Sequence, residues 1–190
     1  MTTSGRIELM APAGNFESMQ AALDNGCDSI YFGVEQLNMR ARATVNFVLD
    51  DLPEIARRCN EKNVRTYLTL NTIIYDHDLS IVKTLLTKAK EAGITAVIAS
   101  DQAVIMTART IGIEVHISTQ LNVTNIETVK FYAMFADTIV LSRELSLRQV
   151  KKITEDIEKE QVKGPSGNLV EIEIFGHGAL CMAVSGKCYL

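Results

Sequence analysis

No stretch of this 190-residue chain approaches the about 18 consecutive apolar residues that a membrane-spanning helix needs. Its polar opening, MTTSGRIE, is no signal peptide. Four cysteines at this length exclude a disulfide-stapled scaffold. An excess of basic charge is also missing: the net charge is −4, which excludes a broad basic field able to attract nucleic acid by itself and leaves a local basic patch open. The HExxH zinc-protease helix, the GxSxG nucleophile elbow and the phosphate-binding P-loop are all absent, so no known protease mechanism can be assembled from local motifs. What is present is 47% apolar and 22% charged residues, enough for one globular domain with a sizeable core. A reducing cytoplasm is the expected compartment, with no membrane partner.

Short β-rich apolar runs alternate with amphipathic stretches along the whole chain. The runs predict strands at 7–10, 29–33, 65–71, 96–100, 114–118, 138–142 and 170–175. Helices are predicted at 16–25, 52–62, 79–92, 102–111, 126–135 and 147–159. Asn15, Asp78, Asp101, Asn125 and Ser146 stand at N-cap positions, and Gly26, Gly93 and Gly112 follow helix ends. Strand–helix alternation of this kind means βαβ units and a parallel sheet.

The turn after the first strand reads Ala11-Pro12-Ala13-Gly14 and lacks the GxGxxG of a doubly wound dinucleotide-binding sheet. A (β/α)8 TIM-type barrel is therefore expected. A complete one needs roughly 250 residues, so the seven βα units visible here predict an incomplete barrel, with residues 1–190 as the N-terminal barrel portion of a longer protein.

Alternation within the strands separates two faces. Ile30 and Phe32, Leu68 and Leu70, Val115 and Ile117, and Ile172 and Ile174 fall in the register that meets the helices. The other register carries Glu8, Met10, Tyr31, Tyr67, Thr69, Asn71, Glu114, His116, Ser118, Glu171, Glu173 and His177. A barrel interior filled only for packing prefers Val, Ile and Leu; this one is polar. Asn71, Ser118, Gln120, Ser142 and His177 fall nearest the C-terminal strand ends, where barrel enzymes keep their chemistry.

Cys181 and Cys188 lie close together past the last strand, in a glycine-containing stretch. Two thiolates select zinc, copper(I) or iron–sulfur and leave a four-ligand site half filled. His177 is a candidate ligand or acid–base group. Glu173 is a candidate general base, or a partner for a cation such as Arg65. His116, deeper along its strand, reads as a satisfied interior histidine, and Cys27 and Cys59 read as buried thiols. Arg40, Arg42 and Arg143 follow strand ends and supply the forked donors that hold a carboxylate or phosphate. Arg57-Arg58 and Lys151-Lys152 fall on outer helix faces.

The stretch Glu173-Ile174-Phe175-Gly176-His177-Gly178-Ala179-Leu180-Cys181, continuing to Gly186 and Cys188, resembles the signature of peptidase family U32, the collagenase-like proteases. Glu8-Leu9-Met10-Ala11-Pro12-Ala13-Gly14, Ser118-Thr119-Gln120, Thr128-Val129-Lys130-Phe131 and the run from Ile139 to Ser146 resemble other segments of the same family, closest to its tRNA-hydroxylation branch. The resemblance implies an iron–sulfur-dependent hydroxylase of a tRNA wobble uridine that uses prephenate as cosubstrate. It places a [4Fe–4S] cluster on Cys181, Cys188 and two later cysteines, and a tRNA-binding surface in a C-terminal region beyond this chain. On that reading Glu173 and His177 are catalytic, Arg40, Arg42, Asn71, Gln120 and Arg143 bind substrate, and the cluster is not assembled on this chain by itself. The alternatives are a peptidase with zinc at Cys181, Cys188 and His177, and a non-catalytic barrel subunit of a homo- or hetero-oligomer.

Overall fold

The computed structural model describes residues 7–34 and 47–178 of the chain. Seven strands alternate with helices: β1 (Met10–Pro12), α1 (Phe16–Asp24), β2 (Ser29–Phe32), α2 (Leu52–Glu61), β3 (Arg65–Leu70), α3 (Leu79–Ala92), β4 (Ala96–Ala99), α4 (Gln102–Ile111), β5 (Glu114–Ile117), α5 (Ile126–Ala133), β6 (Thr138–Val140), α6 (Leu147–Glu160) and β7 (Glu171–Glu173). Strand order is the chain order, β1 to β7. The paired strands β1–β2, β2–β3, β5–β6 and β6–β7 are parallel. This is the (β/α) barrel-type architecture, with seven of the eight strands of a closed TIM barrel. The chain divides into two compact units, Met1–Val97 and Ile98–Leu190.

In the first unit the core forms where the helix-facing register of the strands meets helix stripes. Ile30, Leu68 and Leu70 are buried, as are Met19 on α1, Leu52 and Ile55 on α2, and Leu86 on α3. Asn15 caps α1 by accepting the Ser18 amide, and Ser18 returns the bond to the Asn15 amide in a capping box. Asp78 stands at the N-cap of α3, but its carboxylate instead accepts the Tyr75 amide and closes the one-turn 3₁₀ segment Asp76–Asp78. Gly93 ends α3 at φ +83°, a left-handed cap that L side chains adopt only with strain.

The first strand begins at Met10 rather than at residue 7. β2 starts at Ser29, opposite Met10, so β2 has no residue in ladder register with residues 7–9. The Leu9 carbonyl takes the Asp28 and Ser29 amides, its own amide donates to the Asp28 carboxylate, and Ile7 is 91% exposed.

In the second unit Val104, Ile105 and Ala108 of α4 are buried beside Val115 and Ile117 of β5, and Val129 of α5 with Ile153 and Ile157 of α6 are buried beside Ile139 of β6. Asp101, Asn125 and Ser146 cap α4, α5 and α6 through backbone amides. Among the described residues no helix is long and apolar enough to cross a membrane.

Candidate active site

The polar face of the second unit is built from three strands. Successive residues of a strand point to opposite sides, so Val115 and Ile117 enter the core while Glu114, His116 and Ser118 take the other face. Register aligns His116 with Thr138 of β6, and Thr138 with Glu171 of β7; Val140 aligns with Glu173. The β6 side chains lying between are short, so a side chain from β5 meets one from β7 across them. His116 is 4% exposed. Its Nε2 lies 3.3 Å from Oε1 of Glu114 and its Nδ1 lies 3.8 Å from Oε2 of Glu173. Burial works against charge on the imidazole, yet the carboxylates of Glu114 and Glu173 outweigh it and hold the His116 pKa above its ordinary value.

Beyond this trio the ends of β5 and β6 are laced by hydroxyls. Ser118 and Ser142 are buried. The Ser118 hydroxyl accepts the Gln120 amide at 3.4 Å and seats Gln120 in the 3₁₀ turn Thr119–Leu121. Thr119 donates its hydroxyl to the Leu141 carbonyl at 3.1 Å, and the Ser142 amide donates to the Val123 carbonyl at 3.0 Å. The Ser142 hydroxyl faces the Glu144 carboxylate and the Asn122 side-chain oxygen. A carboxylate holds such a hydroxyl by a hydrogen bond without removing its proton, so this cluster is suited to binding polar groups rather than to supplying an alkoxide nucleophile.

The predicted residues distribute unevenly over this geometry. Glu173, the last residue of β7, joins the trio. Its partner is His116 and not Arg65, because the Arg65 guanidinium is engaged by Glu8 in the first unit. Gln120 is half-buried at the hydroxyl cluster, and Arg143 is exposed directly after Ser142. His177 is exposed in the segment after β7, and Asn71 is half-buried just past β3 in the first unit. Arg40, Arg42, Cys181 and Cys188 lie outside the described residues. His116 is an interior histidine with a carboxylate partner, as expected, and what the sequence reading did not foresee is that Glu114 and Glu173 both face it; the shared register of the three was the available signal.

Cys27 and Cys59 are both buried in the first unit. Burial, with the neighbouring Cys27 adding to it, pushes the Cys59 thiol up to about 11, and burial followed by Asp28 raises Cys27. Both thiols are thus held in the protonated form inside the first unit. Among the described residues no group of three or more His, Cys, Asp or Glu side chains is arranged to hold a metal ion.

The sequence model of peptidase family U32 matches residues 14–190. The chain belongs to that family. A collagenase of Porphyromonas gingivalis is 54% identical over 97% of this chain and 44% of its own length. The tRNA hydroxylation protein P1 of Bacillus subtilis is 30% identical over 96% of this chain and 41% of its own length. This U32 chain thus spans less than half the length of these relatives. Among solved structures, a U32 peptidase superposes with a TM-score of 0.64 at 15% identity, covering 82% of this chain and 67% of that one. This likeness bears on the fold.

Proposed function

We propose that this U32 chain is the N-terminal barrel portion of an enzyme that hydroxylates a tRNA nucleotide, a wobble uridine, with a [4Fe–4S] cluster and prephenate as cosubstrate. The observation that carries this reading is the junction at β7. Its last residue, Glu173, belongs to an acid–base trio centred on the buried His116, and the same segment runs on in sequence through His177 to the signature cysteines Cys181 and Cys188. Proton-handling groups thus lie at the end of β7 and the signature cysteines follow it in sequence, an order suited to redox chemistry on a polar substrate. The 30% identity to a tRNA hydroxylation protein supports the same reading.

Cys181 and Cys188 would hold half of the cluster, and two further thiolates would come from the region of the longer relatives that this chain does not span. When bound, the cluster supplies one-electron redox chemistry. The chain's own residues bind and orient. Arg40, Arg42 and Arg143 would take the two carboxylates of prephenate in fork geometry, Asn71 and Gln120 would hydrogen-bond the substrate, and Glu173 or His177 would accept or return protons. The tRNA-binding surface is assigned to that same further region, because the net charge here is −4.

The test uses protein of the relatives' full length, purified without oxygen. About four iron and four sulfide per chain are expected, together with hydroxylated uridine in tRNA exposed to the enzyme. A Cys181→Ser variant that kept both the cluster and tRNA hydroxylation would defeat the reading.

The 54% identity to a collagenase favours a second reading, a peptidase using zinc at Cys181, Cys188 and His177. Its mark would be gelatin cleavage that chelators stop and that His177→Ala abolishes, in protein holding about one zinc and no iron.

A further inference from the structure

We propose that His116 is the positioning residue for Glu173: the β5 ring holds the terminal carboxylate of β7 on the sheet face opposite the helices, where Glu173 accepts a hydrogen bond from an N–H or O–H group of the substrate. The inference deepens the hydroxylase reading and rests on it in one respect, that the donor would be the imide N–H of a pyrimidine such as uracil.

Three observations carry it. First, the contact spans strands that are not neighbours: β6 lies between β5 and β7, and the small Thr138 and the Val140 side chain at the matching levels leave the space through which Nδ1 of His116 approaches Oε2 of Glu173. Second, the ring is buried while Glu173 is not. His116 side-chain exposure is 5% and that of Glu173 is 22%, so the ring is fixed by packing and the carboxylate retains a route to a ligand. Third, Glu173 offers more acceptor sites than the ring can engage. Glu114, from the ring's own strand, and Glu173, from β7, both face it. A carboxylate presents about four lone-pair sites, and the single Nδ1 position aimed at Glu173 can engage one oxygen at most, which leaves acceptor capacity for a donor-bearing ligand. The same two carboxylates, acting against burial, hold the His116 pKa above its ordinary value, and at 3.8 Å the Nδ1–Glu173 contact acts as an ion pair whenever the ring is protonated.

The first arm of the test needs no substrate. In the intact protein, nitrogen–proton correlation spectra followed across pH should place the His116 titration midpoint above that of an ordinary imidazole, with the midpoint falling in Glu173→Gln. A midpoint indifferent to Glu173→Gln overturns the proposal. The second arm follows turnover on a uridine-containing tRNA. His116→Gln keeps a donor towards Glu173 and His116→Phe removes it while filling the space, so the Phe variant should lose about tenfold or more in turnover efficiency, with KM raised, and Gln should recover part of it. Equal turnover of His116→Phe and the unmodified protein overturns the role. Should His116→Phe fail to fold, Glu173→Gln carries the same comparison through the spectra. An intact Glu173-dependent midpoint in a protein that hydroxylates no RNA would support the positioning and overturn the hydroxylase reading instead.

Discussion

Each unit carries a carboxylate gripped from the sheet face opposite the helices, and the two grips use different cations. In the first unit Glu8 accepts the Tyr67 hydroxyl at 2.7 Å and pairs with the Arg65 guanidinium. In the second, Glu173 faces His116. Arginine stays charged at every pH a protein survives, so the Glu8 grip is permanent and can be lost only by protonating the carboxylate. Histidine titrates near neutrality, so the Glu173 grip answers to pH and to anything that competes for the ring. Position agrees with the difference. Arg65 opens β3 and Glu8 precedes β1, at the strand beginnings, where barrel proteins place residues for stability; Glu173 closes β7, at a strand end, where they place chemistry. The same residue class thus serves as a strut in one place and as an adjustable group in the other.

The comparison can be broken most forcefully at the strut. Tyr67 is 2% exposed, and Tyr67→Ala should cost about 3–5 kcal/mol in denaturant unfolding, as large buried aromatic truncations do. Tyr67→Phe removes only the hydroxyl bonded to Glu8 and should cost about 1–2 kcal/mol. A negligible loss in Tyr67→Phe would mean that the Glu8 contact contributes nothing and that packing alone makes the strut.

The next experiment separates the two grips by pH. The folded His116 pKa is raised, so the folded state binds its proton more tightly than the unfolded chain does. The stabilisation is therefore complete below the ordinary imidazole value and is lost as pH rises through the raised folded value. Thermal melts across that window should show stability falling with pH, and His116→Gln should flatten the profile while Tyr67→Phe leaves its slope unchanged. Equal slopes in the unmodified protein and His116→Gln would erase the distinction between fixed and titrating grips.

Smaller effects test whether the units differ elsewhere. Asn15 and Ser146 each cap a helix through a reciprocal box, one in each unit. Asn15→Ala and Ser146→Ala should each cost about 1 kcal/mol by the same melts, so a large inequality would point to a difference in helix anchoring instead of in the polar face. Smallest of all, Arg57 bridges Glu54 and Glu61 on the outer face of α2 with its side chain 54% exposed. Arg57→Ala should stay within about 0.5 kcal/mol, as exposed pairs do.

Much of this architecture was legible before folding. α3 and α4 run over the predicted residues because local signals mark both ends: Asp101 before α4, and Gly93 and Gly112 after each helix in the left-handed conformation. Strand ends were less legible. The predicted first strand starts too early because Ile7 and Leu9 satisfy the alternating pattern, whereas a strand exists only where a neighbour supplies a ladder, and β2 has no residue in register before Ser29. The same limit applies to Asp78, whose position fits a helix cap while its carboxylate serves the preceding turn. Arg57-Arg58 and Lys151-Lys152 were read as outer faces, and they pair there with Glu54, Glu61, Glu155 and Asp156.

At the site, Glu173 stood out in the sequence because it opens the U32 signature, and the polar register of β5 and β7 was visible as alternation. By itself, then, the amino-acid order determined the βα succession, the helix boundaries, the family and the presence of a polar face. These follow from period, caps and spacing, which act over a few residues. Only the tertiary structure decided that His116 faces Glu173 and that Arg65 belongs to Glu8. Those pairings depend on which strands lie side by side and at what register, and no local propensity encodes a contact made across an intervening strand.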